Sequence, residues 1–408
     1  MAATENIVAA LDIGTTKILV VVGEMDDNGD IYVVGHGQAP AEGLRRGVVV
    51  DMERTVKSLA KAIEDAQLVS GIEIDRVTVG MAGEHIHSIN SHGVIAVARS
   101  DNEITAADVT RAIEAARTVA IPVDREIIHV VPQSFSVDDQ SGISDPVGMS
   151  GVRLEVEAHI VTASVTSAKN IYRALERCRL GVDHMVLEAL ALSRVLMTDN
   201  ELQAGCVLVD IGGDITNVSV FYDGAVRQSA VVPLGGRNVT NDIAIGLRTS
   251  LGQAETLKTA HGAALTSMVD PTEMVVVPGM VGRPDKEISR NVLASIIEPR
   301  IEEIYSLVSR ELRKVTRVDG LTAGMVLTGG GSLLPGTVEL AEQIFDMPVR
   351  SGGLRGLAHV PDVLNSPVYA AGLGLLTYGF TAEPAERGQR RKVQSWMSKL
   401  EQWITKRL

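Results

Sequence analysis

The sequence has few cysteines and no long uninterrupted apolar run. Only Cys178 and Cys206 occur among its 408 residues, both in apolar contexts, which indicates a reducing cytoplasm without a disulfide framework or a thiolate metal site. No apolar stretch is long enough to span a bilayer, and we expect no signal peptide because the N-terminus lacks its basic and apolar segments. With 45% hydrophobic and 22% charged residues, the chain is expected to be globular, with more than one domain.

The net charge of −13 conceals an uneven distribution. Residues 387–408 hold seven Lys and Arg against Glu401 alone, a net +6 that leaves −19 for the rest of the chain. An acidic body argues against nucleic acid as the main partner. A basic tail on such a body indicates a separate functional element.

Residues 7–23 are two apolar runs on either side of a short polar turn, which predicts two strands in a hairpin. The turn glycine lets the backbone approach a ligand, and successive N–H groups with Thr hydroxyls make a concave anion site. The first strand ends in Asp12, which is placed to orient a hydrated divalent cation, although an Asp after a strand is often only a turn residue. The predicted anion-binding residues are Asp12, Gly14, Thr15, Thr16 and Lys17.

A second copy of this hairpin occupies residues 207–223, with Asp210 lying 198 residues after Asp12. Asp210, Gly212, Gly213 and Asp214 fill the places of Asp12, Gly14, Thr15 and Thr16. Each hairpin leads into another strand and a glycine corner, at 32–37 and 229–236. The matching contexts favour two related halves over two unrelated glycine hairpins. Hairpins facing each other would clamp a nucleotide between two lobes.

Two further motifs lie in the second half. Three glycines follow an apolar strand at 325–328; their backbone can lie flat against a ring, and the helix after them favours phosphate at its N-terminus. Glu255 and Lys258 are three residues apart on a predicted helix and share a face. Spacing alone favours a surface ion pair, which contributes little, over a grip on a ribose and its base.

The remaining pattern gives an inserted subdomain and several helices. Residues 84–160 look inserted, with a helix opened by Thr105 and Asp108 in a near capping-box pattern. Small residues in the predicted helices 182–197 and 367–379, one per half, would let the two pack closely enough to form a hinge. Other predicted elements are helices over 52–67, 167–180, 239–259 and 296–314 and strands over 77–81, 85–98, 126–137 and 154–163, with a loop over 138–151.

The chain ends in a polar linker, 382–392, and a predicted amphipathic helix, 393–408. Sixteen residues at 1.5 Å each give about 24 Å, too short to span a membrane but suited to lying in its interface. The alternative is a helix docked on the body or a partner; the linker, the basic flanks and the presence of both tryptophans favour the membrane. The apolar face consists of Val393, Trp396, Met397, Leu400, Ile404 and Leu408 with Trp403 beside it, flanked by Lys399, Lys406 and Arg407.

These features resemble the superfamily of actin, heat-shock chaperones and sugar kinases, and within it the FtsA family of bacterial cell-division proteins over essentially the whole chain. Residues 122–151 are the most specific segment, since actins, chaperones and kinases have nothing like it. The final amphipathic helix after a variable linker is also a family trait. The other segments that carry the resemblance are DIGTTKI (12–18), RGVVVDME (46–53), VLVDIGGDITNVSVF (207–221), VPLGG (232–236), IIEPRIEEI (296–304) and LTGGGSLLPG (327–336).

The resemblance implies an α/β, actin-like two-lobed ATPase fold with four subdomains, a duplicated ribonuclease-H-like core and the C-terminal amphipathic helix. The implied divisions are subdomain 1A (1–83 with 161–200 and 366–381), 1C (84–160), 2A (201–240 with 300–365), 2B (241–299), the linker (382–392) and the membrane-targeting helix (393–408).

The resemblance also implies ATP and Mg²⁺ in a central cleft, with Asp12 and Asp210 holding Mg²⁺ through water. The first hairpin would hold one side of the phosphates, and Glu255 and Lys258 would contact the ribose and base. The residues implied for the other side of the phosphates and for the adenosine are Asp210, Gly212, Gly213, Asp214, Thr216, Gly235, Gly236, Gly329, Gly330 and Gly331.

The resemblance further implies a peripheral protein on the cytoplasmic face of the inner membrane at the division septum. It would form filaments, bind anionic membrane and tether the FtsZ ring, whose C-terminal peptide would dock on about 241–299 together with the start of the next helix. Arg290 and Arg300 are candidates for that contact, although a lone Arg is more often a solvated charge. Later division proteins would dock on 84–160. ATP hydrolysis would be slow at most, and spacing identifies no catalytic residue.

Two alternatives keep the fold but change the function. A small-molecule, sugar-type kinase would need a base for a substrate hydroxyl and a closed pocket, and would gain nothing from a basic amphipathic tail. A pilus-assembly or shape-determining actin homologue would keep the membrane link but change the partner. Residues 122–151 argue against both.

Overall fold

The structure is a computed structural model that describes residues 6–98, 101–279, 284–315 and 320–382. Within these residues the strands are β1 (Ile7–Ile13), β2 (Lys17–Met25), β3 (Ile31–Pro40), β4 (Leu44–Arg45), β5 (Val48–Val49), β6 (Arg76–Met81), β7 (Ile86–Ala96), β8 (Arg125–Val137), β9 (Gln140–Ile143), β10 (Arg153–Ser164), β11 (Gly181–Leu187), β12 (Cys206–Ile211), β13 (Thr216–Tyr222), β14 (Ala225–Val232), β15 (Met274–Val277), β16 (Lys286–Ser289), β17 (Gly324–Thr328) and β18 (Val349–Ser351). The helices are α1 (Met52–Ser70), α2 (Ala106–Arg117), α3 (Val165–Arg177), α4 (Glu188–Leu196), α5 (Asp199–Ala204), α6 (Gly236–Leu247), α7 (Leu251–His261), α8 (Arg290–Leu312), α9 (Thr337–Phe345) and α10 (Ala370–Thr381). The linker and the amphipathic helix predicted beyond residue 382 lie outside the described residues.

The two halves contain sheets of the same topology. The first sheet has the order β3-β2-β1-β6-β11 and the second the order β14-β13-β12-β17-β18. In both, the first three strands pair antiparallel and the last two join in parallel. This match confirms the prediction of two related halves. We call the half built on the first sheet lobe one and the other half lobe two.

Helices α4 and α10 lie between the two sheets. Helix α10 packs on β1, β2 and β6, while Leu192 and Leu196 of α4 share a core cluster with residues of the second sheet. A Cβ atom added at Gly374 would lie only 2.4 Å from the Ala191 carbonyl oxygen, so the two helices approach as closely as their small residues predict. The packing prediction is confirmed, although α4 is shorter than expected.

An insertion in lobe one forms its own antiparallel sheet, β7-β10-β8-β9, covered by α2. Thr105 caps α2, and Asp108 completes the predicted capping box. The segment 138–151, predicted as a loop, contains the short strand β9. The insertion has a core separate from those of the two large sheets.

Three predicted helices have different bounds. Residues 181–187 are the strand β11, not helix, because this apolar run pairs in parallel with the buried β6. The predicted helix 239–259 is two helices, since Arg248 ends α6 with a left-handed φ of 55° and Ser250 caps α7. Helix α8 starts at Arg290 and contains Pro299, because buried side chains on both sides of the proline hold it against lobe two. In the described part of the chain, no helix is both long and apolar enough to cross a bilayer.

Candidate functional site

A cavity of about 760 Å³ lies between the lobes, and both glycine hairpins line it. The turn between β1 and β2 faces the turn between β12 and β13. The predicted residues that line the cavity are Asp12, Gly14, Thr15, Thr16, Lys17, Asp210, Gly212, Gly213, Gly236, Glu255, Lys258, Gly329, Gly330 and Gly331. Asp214, Thr216 and Gly235 are not among the residues that line it.

The two hairpins touch each other at their tips. The Asp214 N–H donates to the Thr15 hydroxyl (3.1 Å). A Cβ atom on Gly213 would lie 2.4 Å from the Thr16 methyl carbon, closer than the roughly 3.5 Å of an ordinary carbon contact. The glycine therefore permits the approach of the two lobes at the site where the sequence predicts phosphate.

Gly235 and Thr216 support the second hairpin from behind. A Cβ atom on Gly235 would lie 2.6 Å from the carbonyl oxygens of both Gly212 and Gly213. The Thr216 hydroxyl is fully buried and donates to the Leu234 carbonyl (2.8 Å). Both residues therefore hold the hairpin in place without reaching the cavity.

Three carboxyl groups surround a buried lysine in the cavity. Lys17 donates to Asp12 at 2.8 Å, and Asp210 accepts a hydrogen bond from the Asn217 amide at 3.1 Å. Glu188, the first residue of α4, is buried and lines the same cavity. The site thus places three carboxyl groups near one lysine.

The crowding of these groups shifts their pKa values. Burial raises the pKa of Glu188 well above its ordinary value, and the charges of Asp12 and Asp210 raise it further, while Lys17 opposes them. Burial also raises the pKa of Asp210. Burial alone would lower the pKa of Lys17, but the charge and hydrogen bond of Asp12 raise it above its ordinary value. A bound cation would relieve the repulsion among the carboxylates.

The oxygen donors here suit a hydrated Mg²⁺, since hard cations prefer carboxylate and water oxygens. Among the residues described, no group of three or more His, Cys, Asp or Glu side chains is arranged to hold a metal ion directly. Asp12 and Asp210 provide carboxylate oxygens at the ends of β1 and β12, and the role in holding Mg²⁺ through water that the resemblance implies for them stays a prediction.

Sequence reasoning missed Glu188. It follows strand β11 directly, in the way that Asp12 and Asp210 sit at the ends of β1 and β12. A carboxylate after a buried apolar run is the signal that could have identified it. Because the sequence pattern predicts one helix over the whole run 182–197, Glu188 is not recognised as a carboxylate at the end of a strand.

The Glu255–Lys258 pair faces the cavity and is part of a larger network. Lys258 donates to Glu255 (2.8 Å), to the Thr240 hydroxyl (2.9 Å) and to the Gly236 carbonyl (3.1 Å). The Thr240 hydroxyl also donates to Glu255. The lysine side chain is only 15% exposed, so the pair is fixed to the start of α6, unlike an isolated surface ion pair.

The two candidate partner arginines already have acidic neighbours. Arg290 pairs with Glu273 at 2.8 Å. Arg300 binds Asp242 at 2.6 Å and also contacts Glu303. An acidic peptide would have to compete with these carboxylates for either arginine.

The chain matches family models over two regions. Residues 207–374 match the model described as "Cell division protein FtsA", and residues 83–162 match the model described as "SHS2 domain inserted in FTSA". The cell division protein FtsA of Pseudomonas aeruginosa is 45% identical over 374 residues, covering 92% of this chain and 89% of that protein.

Two solved structures are similar in fold at low sequence identity. A chain of the PilM–PilN type IV pilus biogenesis complex has a TM-score of 0.66 and 16% identity, covering 92% of this chain and 99% of its own length. MreB5 of Spiroplasma citri bound to AMPPNP has a TM-score of 0.56 and 14% identity, covering 92% and 95%. These likenesses show that the fold is actin-like.

Proposed function

Because the chain belongs to the FtsA family of bacterial cell-division proteins, we propose that it is an ATP-binding adaptor that polymerises on the inner membrane and tethers the FtsZ ring to it. It acts as a structural protein first and at most as a slow ATPase. Later division proteins dock on the inserted subdomain, 84–160. The segment 122–151 and the basic amphipathic tail favour this role over that of a small-molecule kinase.

One observation carries the nucleotide part of the proposal: two matched Asp-Gly hairpins from related halves face each other across one large cavity. Thr16, Lys17 and Lys258 line this cavity, so a hydroxyl and two ammonium groups are among the groups that a polyanion would meet. MreB5, which shares the fold, is described as bound to AMPPNP, and this supports an adenine nucleotide as the ligand here.

Residues of the two lobes would contact different parts of ATP and Mg²⁺. Lys17 and the first hairpin would hold the phosphates from lobe one, and Asp12 and Asp210 would hold Mg²⁺ through water. Lys258 and Glu255 would hold the sugar and base from lobe two, and Glu188 lines the same cavity. Bound ATP would supply a charged triphosphate that residues of both lobes could contact. If these contacts differ between lobe arrangements, binding of the nucleotide would shift the balance between them and so change the surface that forms the filament contact.

The membrane part of the proposal rests on the sequence of residues 393–408. An amphipathic helix with Trp396 and Trp403 in or beside its apolar face, and with basic flanks, suits an anionic membrane interface. The acidic body is repelled by the same surface, which leaves the tail as the contact. The FtsZ C-terminal peptide is assigned to subdomain 2B and the start of α8, where Arg290 and Arg300 are the candidate contacts.

Flotation with anionic liposomes tests this proposal. Full-length protein and a 1–386 truncation are compared with and without Mg-ATP. We expect only the full-length protein to float, with ATP increasing the floated fraction cooperatively with protein concentration. The double variant Trp396→Glu/Trp403→Glu should lose flotation and keep ATP binding. Flotation of the truncation or of the double variant would show that the tail is not the membrane anchor.

A further inference from the structure

The two lobes are joined by polar contacts centred on Asp214, a residue that the cavity does not include. Its carboxylate accepts the Arg46 backbone N–H at 3.2 Å, across the boundary between lobe two and lobe one. The same carboxylate pairs with Arg237 at 2.8 Å, and the Asp214 side chain is only 9% exposed. A nearly buried carboxylate thus bridges the lobes.

Arg237 makes the second half of this connection. Its guanidinium also donates to the Thr15 carbonyl in the first hairpin at 3.0 Å, so one side chain of α6 reaches across to lobe one. Arg237 lines the large cavity and also a second cavity of about 390 Å³ between the lobes, next to Arg45 and Asn241. It therefore stands at the end of the cleft where the hairpins meet.

Any other anion that binds Arg237 must compete with the Asp214 carboxylate, which already pairs with it. A guanidinium forms its best contacts as a planar fork to a single carboxylate or phosphate. In this arrangement one nitrogen of the guanidinium pairs with Asp214, and another donates to the Thr15 carbonyl. A terminal phosphate at the hairpin tips would be a second anion within reach of the same cavity-lining guanidinium.

We propose that Asp214 and Arg237 form a clasp that holds the lobes together when no nucleotide is bound, and that Asp214 competes with a nucleotide's terminal phosphate for Arg237. The clasp then sets the preference between a nucleoside triphosphate and a diphosphate. The preference between the two nucleotides rests on the nucleotide binding proposed above. The contact between the lobes does not depend on it.

The two clasp residues should have opposite effects on nucleotide preference. Asp214→Asn keeps the shape and removes the competing charge, so the ratio of ATP to ADP affinity should rise by about three- to tenfold, a range reduced because Arg237 is partly exposed. Arg237→Gln removes the cation, so the ratio should fall below that of the unaltered protein. A purely structural role would move both variants in the same direction.

The measurement is titration of the full-length protein with fluorescent ATP and ADP analogues, together with hydrogen exchange of residues 44–50 without nucleotide. Asp214→Asn keeps an amide oxygen that can still accept the Arg46 N–H, so the exchange is measured on a second variant, Asp214→Ala, which removes the acceptor and should speed that exchange. The matched control is Asp223→Asn, which breaks an exposed 3.0 Å ion pair with Arg227 elsewhere in lobe two and should change neither reading.

The outcomes separate the clasp from the proposed function. Equal or parallel ratio shifts in Asp214→Asn and Arg237→Gln overturn the competition for Arg237, and unchanged exchange in Asp214→Ala overturns the lobe contact. If the unaltered protein binds neither nucleotide, the proposed function fails, and faster exchange in Asp214→Ala still supports the lobe contact. If Asp214→Asn does not fold, Arg237→Gln alone decides: an unchanged ratio overturns the competition.

Discussion

Replacing Gly235 by alanine should displace the second hairpin. The backbone N–H groups of Gly236 and Arg237 donate to the carbonyls of Gly212 and Gly213 at 2.9 and 2.8 Å, which draws the start of α6 onto the hairpin. A methyl group on Gly235 would lie 2.6 Å from both carbonyl oxygens. The φ angle of −158° is open to alanine, so the cost is steric and not conformational.

The magnitude follows from that distance. An ordinary carbon contact needs about 3.5 Å, so the hairpin must move by roughly 1 Å. These are backbone atoms, and no side-chain rotation can relieve the clash. Overpacking of this kind costs about 1–3 kcal/mol, and at about 2–4 °C per kcal/mol for a lobe of this size the melting temperature of lobe two should fall by roughly 2–12 °C.

Gly236→Ala is the matched control. The added methyl group would meet its nearest atoms at 3.6 Å, an ordinary contact, so this substitution should carry no steric cost. Calorimetry with and without Mg-ATP measures both effects. We expect Gly235→Ala to melt earlier and to lose most of its stabilisation by nucleotide, while Gly236→Ala melts no earlier than the unaltered protein. A Gly235→Ala variant that melts and binds like the unaltered protein would refute the tight support of the hairpin.

Three further substitutions test other parts of the structure. Tyr305→Phe removes a fully buried hydroxyl that donates to a carbonyl at the start of α9 at 2.8 Å and should cost about 1 kcal/mol in urea unfolding. Gly374→Ala should cost about 1–3 kcal/mol by pressing on Ala191, and an unchanged stability would contradict the close crossing of α4 and α10. Burial alone would raise the pKa of Glu201, but hydrogen bonds, first from Arg350, lower it to about 2; the stability advantage over Glu201→Gln should therefore be full above about pH 4.5 and shrink as the pH falls toward 2.

The hairpins could be predicted because their information is local. A polar turn between two apolar runs defines the pair of strands without reference to the rest of the chain. The repeat then relates two distant parts of the chain, because Asp12 and Asp210 are predicted to occupy equivalent places in two similar sheets. The two sheets have the same strand order, so the repeat extends beyond the hairpins to the whole five-stranded sheet of each half.

The position of Glu188 could not be predicted in the same way. A parallel strand buried on both faces appears in sequence as a continuous apolar run, which cannot be distinguished from a buried helix by periodicity. Only pairing with β6 shows that residues 181–187 are extended. The third carboxyl group of the cleft therefore depends on a tertiary contact that the sequence does not display.

Asp214 shows the limit of reasoning from an internal repeat. It occupies the place of Thr16, and Thr16 lines the cavity whereas Asp214 turns to Arg46 and Arg237. Duplication gives two hairpins the same backbone, but where the hairpins meet, each becomes part of the other's surroundings. A position that faces a ligand in one copy can face the opposite lobe in the second. The repeat thus predicts where the chain goes, and the role of each side chain depends on which residues of the other lobe lie against it.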